Sequence, residues 1–394
     1  MPMLPAPLSL YIHIPWCVKK CPYCDFNSHA QRGEIPQQAY VAALLDDLDR
    51  DLVDFGEAIG ARAVESIFFG GGTPSLFSPG SIGAILDGVS ARLAFAPDIE
   101  ITLEANPGTI EHGRFDGYRR AGVNRLSFGV QSFDDEMLQR LGRIHSAHDA
   151  ARALREAQDA GIDNLNIDLM YGLPGQQLSG ALDDLEKAMQ LEPTHLSHYQ
   201  LTLEPNTQFA ANPPALPDSD LSWDMQEHCQ RRLAASGFVQ YEVSAYARAG
   251  RRSRHNLNYW TFGDYLGIGA GAHAKLTDVS HATIRRRAKQ RTPRAYLENA
   301  GTDRAIASDI VLASADLPFE YMMNALRLID GVHATDFGER TGLSDDAIAV
   351  ALAAATAKGW ISADEQLLRT TDEGQRLLND VIALFLPESN CHAR

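Results

Sequence analysis

Short apolar segments recur along the first half of the chain, and each is followed by a stretch in which apolar residues return every three or four positions. The short segments, rich in branched and aromatic residues, predict buried β-strands, and the longer stretches predict amphipathic helices. The predicted strands are "LSLYIHI" from Leu8, "SIFFGG" from Ser66, "IEITLEA" from Ile99, "RLSFGV" from Arg125, "NLNIDLMYG" from Asn164 and "HLSHYQLTL" from His195. The predicted helices are Gln37–Asp51, Ser78–Leu93, Thr109–Ala121, His145–Ala160, Leu178–Leu191 and Ser219–Ala235.

This alternation of strand and helix predicts an α/β fold in which right-handed crossovers join parallel strands. The chain has no dinucleotide fingerprint of the form G-x-G-x-x-G after a strand. That favours an incomplete (β/α)6, TIM-like barrel over a doubly wound sheet, although a flavodoxin-like sheet stays open on periodicity alone.

Polar residues and glycines stand at or just after the carboxyl ends of five predicted strands. In a parallel barrel these ends form one rim, and ligands bind there. Any single one could be a strand-end cap or a turn residue, but five in succession favour a binding rim. They are Gly70–Thr73, Glu104 with Asn106, Gln131, Asp168 with Tyr171, and Gln200 with Glu204.

The pattern changes after about residue 300, where it predicts helix, short helix, helix, β-hairpin and helix. Gly342 marks the turn of a helix–turn–helix, and "GWISADEQLLRTT" predicts a wing-like hairpin. The second helix carries almost no Lys or Arg, which favours a packing or partner module over DNA binding. We therefore expect a core domain over 1–240, an extension over 241–300 and a smaller, mainly helical, winged-helix-like domain over 301–394.

Charge and hydropathy narrow the class of protein. The net charge of −16 and the pI near 5.2 oppose nucleic-acid binding, which requires a basic surface. The basic stretch "RRRAKQR", Arg285–Arg291, is the exception, and we expect a solvent-exposed loop there. No apolar run is long enough to span a membrane and no signal peptide precedes the first strand, so the expected location is the cytoplasm.

Three of the five cysteines (Cys17, Cys21, Cys24, Cys229 and Cys391) lie in one C-x3-C-x2-C loop. An odd, clustered set opposes a disulfide framework. Three thiolates could hold zinc with His13 as a fourth ligand. A [4Fe–4S] cluster needs four ligands, so three cysteines would leave one iron open to an exchangeable molecule.

The glycine run in "FFGGGTPS" lets a backbone edge approach a ligand closely. It lacks the lysine of a phosphate loop, so an amino-acid moiety or an adenosine fits it better. Glu104, Gln131, Arg143 and Asp168 supply one cation and several acceptors, which match an ammonium, a carboxylate and ribose hydroxyls.

These motifs resemble the radical S-adenosylmethionine superfamily. "CVKKCPYC" is similar to its cluster loop, and "GGGTP" is similar to its glycine motif. A wider set resembles the branch that contains oxygen-independent coproporphyrinogen III oxidases and HemW heme chaperones, and this resemblance covers nearly the whole chain. That set is "YIHIPWC", "LEANP", "SFGVQSF", "NIDLMYGLPGQ" and "YQLTLEPNT".

The resemblance implies a [4Fe–4S] cluster with Cys17, Cys21 and Cys24 as ligands of three irons. S-adenosyl-L-methionine would chelate the fourth iron, with Tyr23 near its adenine. The other residues that the resemblance implies as contacts of this cofactor are Tyr11, Gly71, Gly72, Thr73, Glu104, Gln131, Arg143 and Asp168.

Departures from the oxidase pattern favour the heme chaperones. Where the oxidases have a further cysteine this chain has Phe26, and only sixteen residues precede Cys17. "RHNLNYW" contains the H-N-x-x-Y-W pattern of the chaperones, so His255 is expected to bind heme, with His273 and His281 as alternative ligands. A buried histidine packed among aromatic rings is the other interpretation of His255.

The resemblance thus implies a heme chaperone, with coproporphyrinogen III oxidase as the alternative activity. Its implied partners are heme, an acceptor protein and a second copy of the chain in a homodimer.

Overall fold

The computed structural model shows one long mixed sheet with helices between its strands, followed by a smaller helical unit. The structure describes residues 2–109, 114–362, 364 and 366–387, so Cys391 lies outside the described residues. The strands are β1 Leu8–Ile14, β2 Trp16–Cys17, β3 His29–Ala30, β4 Val64–Gly71, β5 Phe95–Ala105, β6 Arg125–Gln131, β7 Asn164–Tyr171, β8 His195–Gln200, β9 Val239–Gln240, β10 Ala245–Ala247, β11 Asp264–Ile268, β12 His273–Asp278, β13 Thr283–Lys289, β14 Ile306–Val311, β15 Val332–His333 and β16 Leu367–Leu368. The helices are α1 Gln37–Ile59, α2 Pro79–Ser90, α3 Arg114–Ala121, α4 Asp135–Arg140, α5 Ala147–Asp159, α6 Leu178–Met189, α7 Gln208–Ala211, α8 Ser219–Ala235, α9 Arg254–Trp260, α10 Pro293–Asn299, α11 Leu317–Ala325, α12 Asp336–Thr341, α13 Asp346–Ala357, α14 Asp372–Arg376 and α15 Leu378–Ala383.

The six predicted strands lie side by side in the order β1-β4-β5-β6-β7-β8, and every neighbouring pair is parallel. Six of the seven residues of β1 are buried. Burial on both faces is typical of a strand in a parallel sheet with covered faces, and in β1 it includes the polar residues Ser9 and His13. The predicted parallel α/β fold is confirmed.

The sheet continues beyond the predicted six strands at both ends. β11 pairs parallel to the free side of β1, and β12, β13 and β14 follow it as antiparallel strands. At the other end β10 and β9 extend β8 with antiparallel pairing. The segment 241–300 therefore builds part of the main sheet, and it brings the end of β11 beside the end of β1 at the rim.

The expectation of an exposed basic loop at Arg285–Arg291 was wrong, because most of this stretch forms β13. Arg287 and Lys289 are 2% and 1% exposed. Lys289 Nζ lies 2.7 Å from Asp51 Oδ1 and also contacts Asp47, while Arg287 Nη1 lies 2.7 Å from Asp51 Oδ1. The carboxylates of Asp47 and Asp51 on α1 balance the positive charges of Arg287 and Lys289, because a buried charge needs a partner of opposite sign.

The C-terminal unit packs α11–α15 around a second apolar core. Gly342 ends α12 with a φ of 73°, as a turn glycine does, and β15 pairs with β16. Met3, Phe262 and Ile284 belong to this core, so the unit is attached to the start of the chain and to the sheet extension. None of the described helices is long and apolar enough to cross a membrane.

Candidate cofactor site at the carboxyl rim of the sheet

A cavity of about 760 Å³, its opening to solvent included, lies at the carboxyl ends of β4 to β8. Its wall contains eleven of the predicted site residues: Cys17, Cys21, Tyr23, Cys24, Gly71, Gly72, Thr73, Glu104, Gln131, Arg143 and Asp168. Of the other predicted rim residues, Asn106 lines the cavity, whereas Tyr171, Gln200 and Glu204 are absent from its described wall. The rim thus brings the cysteine loop together with polar groups from four strands.

The three cysteines lie on a loop that two short strands close. β2 pairs with β3, so the chain between Cys17 and His29 forms a loop over the end of the sheet. Burial is the largest cause of the raised pKa of both Cys17 and Cys24. Among the described residues no three His, Cys, Asp or Glu side chains are grouped so as to hold a single metal ion.

Arg143 places a guanidinium against this loop. Its Nη1 donates to Cys21 Sγ over 3.4 Å, and its Nη2 donates to the Gly129 carbonyl oxygen over 2.5 Å. Its Nε is buried without a hydrogen-bond partner among the described residues. A cation close to a cysteine sulfur suits an iron–sulfur cluster, whose properties depend on local charge and on hydrogen bonds to its sulfurs.

The glycines at the end of β4 let that strand pack tightly against β1 and β2. A Cβ on Gly72 would lie 2.5 Å from the Trp16 carbonyl oxygen. A Cβ on Gly71, whose φ is 112°, would lie 2.5 Å from the His13 ring. Gly72 N donates to Ile14 O on β1, and Thr73 N donates to Trp16 O on β2, so the end of the glycine run ties the start of the cysteine loop to the rim. The close approach that the sequence predicts is therefore made, at least in part, to the protein's own backbone.

Two acidic side chains from β5 and β7 line the cavity. Enclosure in the wall raises the pKa of Glu104 to about 8, and the negative charge of Asp168 adds to this effect. Burial likewise raises the pKa of Asp168, against hydrogen bonds from Asn166 and Ser197. A cationic ligand would favour the ionised form of both acids.

Gln131 reaches the cavity from an unusual backbone conformation, with a φ of 75° at the end of β6. Its Oε1 accepts a hydrogen bond of 2.9 Å from Tyr199 OH. The next residues are fixed by Asp184 on α6, which accepts from Ser132 Oγ at 2.8 Å and from Phe133 N at 2.6 Å. The sequence gives no indication of a role for Tyr199 or Asp184, although Tyr199 lies within the sixth predicted strand and next to the last residue of β8.

A second cavity, about 1240 Å³ with its opening, adjoins the first and shares Phe26, Gly71 and Glu104 with it. It lies against the strands β11–β13 that extend the sheet. Its wall includes Tyr11, His13, Tyr259, Tyr265, His273 and Arg291. Tyr11, predicted with the cofactor residues, thus lines the second cavity rather than the first.

His255 is buried beneath this second cavity and is absent from its described wall. Its Nδ1 lies 2.9 Å from Ser66 Oγ, and its Nε2 lies 3.0 Å from Tyr259 OH. Burial lowers its pKa to about 3, assisted by the charge of Arg125, so the ring is neutral. The structure therefore joins His255 to the cavity through Tyr259, the tyrosine of the same sequence motif.

Comparison with known proteins agrees with this architecture. Residues 11–188 match the radical SAM superfamily, and residues 312–377 match the HemN C-terminal domain. The chain is 50% identical to the heme chaperone HemW of Haemophilus influenzae, covering 98% of this chain and 100% of the relative. It is 51% identical to the heme chaperone HemW of Escherichia coli, covering 97% and 99%. The structure of coproporphyrinogen III oxidase (HemN) from Escherichia coli, a radical SAM enzyme, matches with a TM-score of 0.81 and 25% identity, covering 97% of this chain and 90% of that one.

The fold, the cysteine loop and the glycine run at the rim are those of a radical SAM protein. The similarity to the chaperones extends through the sheet extension and the C-terminal unit. The chain belongs to the HemW family of the radical SAM superfamily.

Proposed function

We propose that this protein binds heme and transfers it to an acceptor protein. The observation that carries this proposal is the 50% identity to heme chaperones over nearly the full length of both chains. The second cavity supports it, because tyrosine rings and the imidazoles of His13 and His273 line a space large enough for a macrocycle. Phe26 supports it further, since the oxidase pattern has a cysteine at that position.

In this proposal a [4Fe–4S] cluster is held by Cys17, Cys21 and Cys24, with S-adenosylmethionine on the remaining iron. When bound, these groups supply electron transfer and radical chemistry. The chain's own residues bind and orient them. Arg143 donates a hydrogen bond to the sulfur of Cys21, and Glu104 on the cavity wall would pair with the positive charge of the cofactor. The donors lining the first cavity fit this pair of groups.

Decarboxylation of coproporphyrinogen III is the alternative function, favoured by the TM-score of 0.81 with the oxidase. Both functions place a tetrapyrrole near the rim, so the fold alone does not separate them. They differ in outcome, because a chaperone releases its ligand unchanged and an oxidase releases protoporphyrinogen and carbon dioxide.

One anaerobically reconstituted sample decides between the two functions. Hemin is titrated into one portion, and coproporphyrinogen III with dithionite and S-adenosylmethionine is added to another. We expect saturable binding of about one heme per chain and no protoporphyrinogen. Steady formation of protoporphyrinogen, or hemin binding that never saturates, would overturn the proposal.

Transfer and assembly are tested separately. Heme-loaded protein mixed with apomyoglobin, used as a generic acceptor, should lose its heme to that acceptor, and a loaded protein that retains it would contradict a transfer role.

We also propose that a homodimer forms when the cluster is present. Light scattering before and after cluster reconstitution checks this, and an unchanged mass would refute it. The unpaired thiols of the cluster loop fit a reducing compartment such as the cytoplasm.

A further inference from the structure

We propose that His273 is the heme-iron ligand and that His255 acts on heme only through Tyr259. This inference rests on the proposed heme-binding function and adds the residue that would coordinate the iron. A heme ligand needs a ring nitrogen that is accessible and not already hydrogen-bonded. Four histidines differ sharply in this respect, namely His13 and His273, which line the second cavity, and two others, His255 and His281.

Two of these histidines have both ring nitrogens engaged. His255 uses Nδ1 with Ser66 and Nε2 with Tyr259. His13 uses Nδ1 with Tyr11 OH, at 3.1 Å, and Nε2 with the Asn27 carbonyl oxygen, at 2.8 Å. To bind iron, either ring would have to give up one of these hydrogen bonds and leave its partner without it.

His281 is excluded by its position. Its side chain is 70% exposed, and its Nδ1 lies 2.8 Å from Asp278 Oδ2. It lies in the turn between β12 and β13 and is absent from the described walls of both large cavities. An iron held there would have no enclosing wall for its macrocycle.

His273 meets the requirement. It is the first residue of β12, it lines the second cavity and its side chain is exposed to that space. No hydrogen bond between described residues engages its imidazole. Gly267 on β11 permits this placement, because a Cβ there would lie 1.8 Å from the His273 carbonyl oxygen. The ring therefore stands at the cavity wall with its nitrogens available.

The rest of the cavity matches the other parts of heme. Tyr259 and Tyr265 pack edge to face, with ring centroids 4.5 Å apart, and offer an aromatic wall to the macrocycle. Arg291 lies on the same wall with its side chain exposed, where a guanidinium pairs well with a propionate. Iron ligand, flat wall and cation thus occur in one cavity beside the cluster site.

The test is a hemin titration of the full-length, reconstituted protein and of three variants, followed by absorption and resonance Raman spectra of the bound heme. His273→Ala should weaken heme binding by at least about tenfold and change the spin state of the iron. Free imidazole added to that variant should restore the wild-type spectrum. His281→Ala is the matched control and should behave as wild type.

His255→Ala gives the discriminating comparison. It should weaken binding, because Tyr259 loses its partner, yet leave the spectral signature of the axial ligand unchanged. If His273→Ala keeps the wild-type spectrum and His255→Ala loses it, the assignment is wrong while the heme-binding function stands. If the wild-type protein itself shows no saturable hemin binding, the proposed function fails, and the assignment fails with it.

Discussion

Replacing Glu104 by glutamine isolates the role of the carboxyl group at the wall of the first cavity. Glutamine keeps the shape of the side chain and can still accept the hydrogen bond that Gly71 N donates over 3.2 Å. It removes the negative charge and the titration. Since a cationic cofactor pairs only with the ionised acid, wild-type binding of S-adenosylmethionine should be coupled to proton release from Glu104.

The size of the effect follows from the pKa of about 8 that burial and Asp168 impose on Glu104. An acid with that pKa is ionised in about one molecule in eleven at pH 7 and in about ten of eleven at pH 9. At pH 7 the folded, ligand-free protein holds the proton on Glu104, and a bound cation favours its release. The affinity for the cationic cofactor therefore rises with pH. The ratio of wild-type to variant affinity should therefore grow about tenfold between pH 7 and pH 9.

The α-amino group of the free cofactor has a pKa of about 7.7–8.0. The pH dependence of wild-type affinity alone therefore does not identify Glu104 as the titrating group. Calorimetric titrations of both proteins across this pH range, in buffers of different ionisation enthalpy, give the affinity ratio and the protons released. Glu57→Gln, which removes an exposed acid from α1, is the matched control and should follow the wild type. A wild-type to Glu104→Gln ratio that stays constant across the range would refute the reasoning.

Three further predictions concern packing, electrostatics and stability. In Gly72→Ala the new Cβ would lie 2.5 Å from the Trp16 carbonyl oxygen. This clash should lower the free energy of unfolding by roughly 1–3 kcal/mol and reduce the iron content after reconstitution. Unchanged stability and iron content would contradict this prediction. Arg143→Met removes a positive charge near the sulfur of Cys21, a proposed cluster ligand. A redox titration followed by electron paramagnetic resonance should therefore give a more negative cluster potential, and an equal or higher potential would count against this placement. Lys289→Met leaves buried carboxylates without their ammonium partner and should cost about 3–5 kcal/mol in urea unfolding of the cluster-free protein. The exposed control Arg294→Met should leave the free energy of unfolding nearly unchanged, and equal losses in the two variants would contradict the buried network.

The parallel part of the sheet can be predicted from the sequence because each of its strands stands out as a short segment rich in branched and aromatic residues. A strand covered on both faces is mostly apolar, as in β1, where five of the seven residues are Leu, Ile or Tyr, and the polar residues of the site stand at or near the ends of such strands. The sequence therefore predicts that Glu104, Gln131 and Asp168 share one rim. The cavity wall contains all three.

The sheet extension could not be predicted in the same way, because its stability comes from residues distant in sequence. A basic stretch such as that of β13 is normally exposed, and only the carboxylates of α1, more than two hundred residues earlier, allow Lys289 to be buried. The second cavity exists because this extension joins β1. Periodicity carries no information about such a pairing.

The hydrogen-bonding state of a histidine is equally hidden from the sequence. The H-N-x-x-Y-W motif pointed to His255, whose role in heme binding stays a prediction. Its two partners, Ser66 and Tyr259, come from a distant strand and from the next turn of its own helix. Only the folded arrangement shows which ring nitrogens are engaged and which, as in His273, are available.

In the proposed site, three cysteines leave one iron of the cluster to a small exchangeable molecule. This arrangement can be examined by electron paramagnetic resonance of the reduced, reconstituted protein, recorded before and after adding S-adenosylmethionine. We expect a [4Fe–4S] signal whose g values shift on addition, and loss of the cluster signal in Cys21→Ser. A signal that ignores S-adenosylmethionine in the wild type, or that persists unaltered in the variant, would contradict this arrangement.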